Sequence, residues 1–277
     1  MNIKRKIESI GTPLKSWDID IFRGVLTGYN DAFIIDKDKK EELIKADPRS
    51  AEIIRPILRG RDIKRYENKF ADLWLINVHN GLKDKGIKPI QIGDYPAIKK
   101  HLDESYAELA KRADKGDTPY NLRNCAYMDD FSRQKIVWGN LNLCAAYSLA
   151  DEGMFVNAPC PMIVPGNPYL LAVLNSKAAD YYLRSLGVIR NGGYFEYKPM
   201  FIEQLPVPLI DENEQAPFSK LALQISDQKK LGKKTIHLEE ELDLMIFRLY
   251  QFSTEEIDFL LYNSGQIEIA DVVDLLD

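Results

Sequence analysis

From Ser16 to Phe22 the apolar residues Trp17, Ile19 and Ile21 alternate with Asp18, Asp20 and Phe22. That period of two predicts a strand with one face in a core. A second strand is predicted over Ala32–Asp36, and a third over Leu73–Val78, closed by the turn pair Asn80-Gly81. Between Gln134 and Val164 four β-like runs, QKIVWGN, AAYSLA, GMFVN and CPMIV, are divided by Gly139, Asp151–Gly153 and Pro159. Elsewhere the spacing is helical. Asp38 and Glu41 have capping-box spacing for a short helix ending near Asp47-Pro48. Asp94 and Pro96 open a longer helix to about Ala113, with Ile98, His101, Leu102, Ser105 and Leu109 along one side. Asn167-Pro168 start another, with Gly187 where a left-handed C-cap belongs. The prolines of Leu205–Pro208 hold the chain extended and mark a boundary. Past them, Leu221, Ile225, Leu238, Leu242, Met245 and Leu249 recur at mostly three- and four-residue steps around Gly232, predicting one long amphipathic helix or two in line. Ser253 with Glu256 caps a last short helix. The expected architecture is α+β: a mixed body over 1–210 and a helical arm over 211–277.

Composition changes this picture in two places. With 45% hydrophobic and 29% charged residues the 277-residue chain folds rather than staying disordered. It has no apolar run of membrane-spanning length, and Met1–Ile10 is basic without an apolar leader, so a soluble, unexported, cytoplasmic protein is expected. Cys125, Cys144 and Cys160 are odd in number and widely spaced, which gives neither a disulfide framework nor a zinc site. The net charge of -5 is unevenly placed: residues 200–277 hold 16 acidic and 6 basic side chains, leaving 31 basic against 26 acidic in residues 1–199. A body with a positive balance and an acidic arm suits a polyanionic partner better than the total implies.

Three glycine-bearing turns carry the candidate chemistry. In Arg23–Asp31 (RGVLTGYND), Gly24 and Gly28 allow sharp turning, and Arg23, Thr27, Tyr29 and Asn30 offer polar groups at the tip; a plain hairpin connection is the competing reading. In Ile53–Val78, Arg55, Arg59, Arg61, Lys64 and Arg65 surround Gly60, giving planar donor forks suited to phosphate, or an ordinary solvated turn partnered by Asp62 and Glu67. In Arg190–Lys198 (RNGGYFEYK), Asn191 suits a base edge and Arg190 and Lys198 suit phosphate or guanine. Gly192 and Gly193 admit a close backbone there, and Tyr194, Phe195 and Tyr197 offer stacking faces unless they are core.

Catalytic constellations are largely missing. The chain has no phosphate-binding glycine loop, no nucleophile elbow and no H-E-x-x-H. Helix capping accounts for Asn167-Pro168-Tyr169. Glu196-Tyr197-Lys198 has the E-x-K spacing of metal-dependent nucleases, although no partner aspartate is clearly offered, Asp180 lying in a predicted helix. A small nuclease using Glu196 and Lys198 is therefore one alternative, and an interaction module acting through the arm is another.

The order GTPLKSWDIDIFRGVLTGYNDAFIID, IIRPILRGRDIKRY, an apolar strand, then RNGGYFEYKPMFIEQLPVP resembles the TaqI-like C-terminal specificity domain, over most of residues 11–210. The ending LYQFSTEEIDFLL is similar as well. That domain is the target-recognition part of single-chain type IIG restriction-modification enzymes and of related adenine methyltransferases. The resemblance implies a non-catalytic domain that docks on double-stranded DNA and reads bases in the major groove. It implies nuclease and methyltransferase modules as partners, with magnesium and S-adenosylmethionine belonging to them and no cofactor to this chain. The implied contact regions are Arg23–Asp31, Arg59–Tyr66 and Arg190–Lys198. Since neither module is present, the chain is expected to be an excised fragment or a separate specificity subunit. The reading requires the three turns to meet on one side of the folded body.

Overall fold

Ile136 and Trp138 point into one hydrophobic core and Val137 into another, because successive side chains leave opposite faces of a strand. In the computed structural model, which describes residues 3–262, their strand Lys135–Trp138 lies inside a four-stranded antiparallel sheet. The order across it is Tyr147–Ala150, Lys135–Trp138, Pro161–Val164, Asp20–Arg23. A second sheet runs Phe155–Val156, Ile54–Leu58, Leu73–Ile76, Ile34–Asp36, with Phe155–Val156 parallel to its neighbour and the other pairs antiparallel. A bridge between Val25 and Asn157 joins the two sheets. The fold is α+β.

The core between the sheets contains Val137, Met162, Ile57, Leu75 and Phe155, closed by the helices Pro96–Asp103 and Tyr106–Lys111. One continuous helix is predicted here; the structure breaks it at Glu104 and Ser105. His101 packs beside the break and donates from Nε2 to the Ala32 carbonyl (3.0 Å). The other core lies on the far face of the first sheet, under Ile3–Ile10, Pro168–Leu174 and the two helices Glu212–Lys230 and Ile236–Leu249.

The arm is thus built into the body. Ile225, Leu242 and Ile246 are fully or almost fully buried in that core, and at about 2 kcal/mol for each such side chain the arm is held firmly down. Its apolar stripe is occupied by the protein itself, which leaves the interaction-module reading without a free surface on that stripe. Gly232, at φ +70°, separates the two helices, which pack on one another. The first begins at the capping box of Asp211 and Glu214, nine residues before the apolar spacing begins at Leu221. The predicted Ser253 and Glu256 box is present and opens a helix over 254–262. The rest of the predicted arm, 263–277, and residues 1–2 lie outside the described residues. No described helix is long and apolar enough to cross a membrane.

Several local expectations change. Asp36 rather than Asp38 caps the helix Lys37–Ala46, its carboxylate accepting from Lys39 N. Ala32 and Phe33 are helical, so the strand there is only Ile34–Asp36. Gly187 is not a left-handed cap: a Cβ there would stand 2.8 Å from the Phe195 ring and 3.2 Å from that of Phe201. Leu205–Pro208 is extended, as predicted, and is also paired: Pro206–Val207 lies antiparallel to Thr12–Pro13, and the carbonyls of Pro206 and Pro208 accept from the hydroxyls of Tyr250 and Tyr169.

Candidate functional site

The segment Gly139–Asn142, which follows Lys135–Trp138 and ends in the two-residue strand Leu141–Asn142, is where the three predicted turns meet. Asn142 Nδ2 closes it by donating to the Gly139 carbonyl (2.8 Å). The second turn lies against it so closely that a Cβ on Gly60 would sit 3.9 Å from Gly139 Cα and 3.2 Å from Cys160 Sγ. The third turn pairs with it: Phe195–Glu196 is antiparallel to Leu141–Asn142, Tyr197 N donates to the Asn140 carbonyl (2.8 Å), and Trp138 Nε1 donates to the Tyr197 carbonyl (2.7 Å). The first turn is fixed through 156–160. Gly24 N donates to the Cys160 carbonyl and Val25 N to that of Val156, both at 2.7 Å. Arg23 and Leu26 share with Asn140, Ala158, Pro159 and Pro199 the lining of an open cavity of about 350 Å³.

Within each turn the side chains divide into supports and exposed groups. Thr27 is buried; its hydroxyl donates to Asn30 Oδ1 (2.6 Å) and accepts from Tyr29 N (3.2 Å). Tyr29 packs partly against the inter-sheet core, so Asn30 is the exposed member of this trio. Beneath them Arg112 donates to the carbonyls of Thr27, Asp114 (3.2 Å), Pro119 (2.9 Å) and Asn121 (2.7 Å), with its guanidinium 4.5 Å from the Phe33 ring centre. Burial lowers its pKa to about 10, which still leaves it charged at neutral pH.

In the second turn Arg59 forms a two-pronged pair with Asp62, Nε to Oδ2 at 3.0 Å and Nη2 to Oδ1 at 2.9 Å. Arg55 folds back on the carbonyls of Glu52 and Ile54. Arg65 is turned inward, onto Glu239 of the arm (2.5 Å) and the Asn175 carbonyl. Arg61 and Lys64 are exposed and, among the described residues, have no carboxylate partner.

In the third turn Gly192 and Gly193 have φ of +75° and +80°, a region in which a side chain is strained. Lys198 (2.6 Å) and Arg190 (3.2 Å) both bind Glu196 and hold its carboxyl below the ordinary carboxylate range, Lys198 contributing most. Phe195 and Tyr197 are core, and the Tyr197 hydroxyl donates to Asp180, which also pairs with Arg184 (3.1 Å). Of the three rings, Tyr194 faces outward, with Asn191 beside it on the exposed tip, Ile189 exposed nearby in the chain and Leu141 exposed on the paired strand opposite Glu196. For the nuclease alternative this geometry is unfavourable. Glu196 is held between two cations, Asp180 is engaged elsewhere, and no group of three His, Cys, Asp or Glu side chains among the described residues is placed to hold a metal ion.

The sequence reading missed Asn140, which fell at the end of the β-like run QKIVWGN, and Arg112, which fell inside the predicted helix to about Ala113. Arg112 could have been suspected from its place between the apolar helix face and the polar run that follows; nothing local marks Asn140. Burial raises the thiol pKa of Cys125 to about 11 and that of Cys160 to about 12, while Cys144 is exposed.

A family model described as the TaqI-like C-terminal specificity domain matches residues 55–207. A curated relative, the Type II methyltransferase M.BstVI of Geobacillus stearothermophilus, is 20% identical over 245 residues, covering 86% of this chain and 40% of that protein. Among solved structures, the Type IIL restriction-modification enzyme MmeI in complex with DNA is similar with a TM-score of 0.69 and 13% identity, over 93% of this chain and 36% of that one. The type IIG restriction endonuclease BpuSI is similar with a TM-score of 0.51 and 16% identity, over 90% of this chain and 33% of that one. The likeness to these two structures is one of fold, and the chain spans well under half the length of all three proteins.

Proposed function

Because the chain belongs to the TaqI-like C-terminal specificity domain family, we propose that it recognises a short sequence in duplex DNA on behalf of nuclease and adenine methyltransferase modules, and that it is non-catalytic by itself. The observation that carries this reading is the meeting of the three turns around Gly139–Asn142. Among the described residues Arg61 and Lys64 are left without carboxylate partners there, while the neighbouring cations are neutralised by Asp62, Glu239 and Glu196. Arg61 and Lys64 supply the phosphate contacts that set register, and the exposed tips at Asn30 and at Asn191 to Tyr194 supply base contacts. Thr27, Arg65 and Tyr197 act in this reading as supports for those tips. Magnesium and S-adenosylmethionine belong to the partner modules. The test is a selection from a pool of duplexes with a randomised centre, using the purified chain. Enrichment of one sequence, with affinity falling steeply as salt rises, is the expected result. Binding without any sequence preference would sink the proposal.

A further inference from the structure

We infer that the cavity between Arg23 and Asn140 is a base-reading pocket that takes the major-groove edge of one G·C pair, with Arg23 on the guanine and Asn140 on the paired cytosine. This rests on the DNA-recognition reading and assigns one position within it.

The walls are rigid and almost without hydrogen-bonding groups. Leu26, Ala158 and the rings of Pro159, Pro161 and Pro199 form them, and proline has neither an N–H nor a rotamer-rich side chain. Arg23 and Asn140 are the two residues with polar side chains in this lining, and the Arg23 guanidinium also bonds the Tyr127 phenol. Apolar walls with a few placed polar groups are the usual make-up of a site that orients a planar ligand. A planar base edge suits this lining better than a backbone phosphate, since Arg23 is the one cation in it and the leucine, alanine and proline side chains offer an anionic oxygen no donor.

Both heads are mounted on fixed backbone. Arg23 ends the strand Asp20–Arg23 directly opposite Pro161, and the next residue, Gly24, is pressed against the carbonyl of Val156. The Tyr127 phenol stands beside Arg23, and among the described residues no carboxylate pairs with it. Asn140 has its carbonyl occupied by Tyr197 N, whereas its side-chain amide makes no hydrogen bond within the described chain. A half-buried amide with its main chain tied and its head free is positioned to bond something outside the protein. A guanine presents two acceptors, O6 and N7, that match the Arg fork, and the amino group of its paired cytosine donates to the Asn oxygen.

The experiment is the same duplex selection carried out with the wild-type chain and with Arg23→Ala, Asn140→Ala and the double variant, each first shown to melt as the wild type does. Lys64→Ala serves as the comparison for loss of a phosphate contact. Arg23→Ala and Asn140→Ala should each flatten the preference at one and the same G·C pair, by about 10- to 100-fold in discrimination. The double variant should flatten no further position. Lys64→Ala should weaken binding without altering the selected sequence. If the wild type selects a sequence and both pocket variants select it unchanged, or flatten different pairs, the pocket assignment is overturned while the DNA-recognition reading stands. If the wild type selects nothing, both fall. Should Asn140→Ala fail to fold, Asn140→Asp, which keeps the main-chain contact and the acceptor, replaces it: retained preference for the same pair supports the assignment and an unrelated preference overturns it.

Discussion

Arg65 Nε and Glu239 Oε2 lie 2.5 Å apart although 174 residues separate them in the chain, and the bond ties the hairpin of the second turn to the helical arm. Lys229 binds the other oxygen of Glu239 (2.9 Å) and Thr235 donates to it (2.7 Å). Burial works against the Arg65 charge, but Tyr66, Glu239 and Asp243 around it outweigh the penalty and keep the guanidinium protonated. Part of the arm's acidity is spent here, on holding the body together.

Arg65→Ala should therefore lower unfolding stability by about 2 kcal/mol, since it leaves one oxygen of Glu239 and the Asn175 carbonyl without their donor in a largely buried place. Arg61→Ala, on an exposed side chain, should leave stability within about 0.5 kcal/mol and reduce the salt slope of DNA binding by about 1. Urea midpoints and salt titrations of the two variants separate the roles. Equal stabilities would contradict the inward assignment of Arg65.

Gly24→Ala tests the mounting of the first turn. The added Cβ would stand 2.2 Å from the Val156 carbonyl oxygen and 2.7 Å from Asn157 C, both main-chain atoms that cannot step aside like a side-chain tip. A loss of about 3 kcal/mol is expected, read from the melting temperature. Gly86, whose Cβ would meet nothing within 4 Å, makes a useful contrast for packing, with its positive φ of +68° as the remaining cost.

Glu196→Gln releases Lys198 and Arg190 from their shared carboxylate. DNA affinity at low salt should rise by about 3- to 10-fold and the salt dependence should steepen by about one counterion. The same substitution should abolish magnesium-dependent nicking if Glu196 were a metal ligand, so tighter binding with no nicking activity to lose distinguishes the two readings in one preparation.

Lys135 is fully buried at the edge of the inter-sheet core, where its ammonium donates to the carbonyls of Asp151 (3.1 Å) and Met154 (3.0 Å). Burial lowers its pKa from 10.5 to about 8, against the smaller upward pull of Asp151 and Glu152. A cation whose pKa falls on folding gives its full contribution above the unfolded value and loses it as pH drops through the folded value. The stability of the wild type minus that of Lys135→Met should thus fall between pH 10.5 and about pH 8, then level off. Melting curves across that range check it; a flat difference would mean that the ammonium is not desolvated.

What could be read from the sequence follows the reach of each interaction. Asn167, Ser253 and Glu256 cap helices through bonds to residues two or three positions away, so their roles are written locally. The three turns were legible for the same reason: Gly, Asn and Arg clusters announce themselves. The inward fate of Arg65 and Tyr197 was not, because each is decided by a distant partner, Glu239 or Asp180. Gly187 misled because a glycine after a helix fits both a left-handed cap and a close ring contact, and only the position of Phe195 decides between them. Asn140 carried no local signal, since its importance comes from the turns that surround it.

The tips are held mainly through main-chain atoms: Gly24 N on Cys160 O, Val25 N on Val156 O, Asn157 N on Leu58 O, and Tyr197 N on Asn140 O. Such bonds are indifferent to which side chain sits at the neighbouring exposed position. Residues such as Arg61, Asn140 and Asn191 can therefore be exchanged like the bits of a key whose blade stays the same. On the proposed DNA-recognition reading, a lineage carrying this scaffold could move from one recognised word to another while these main-chain bonds stay as they are.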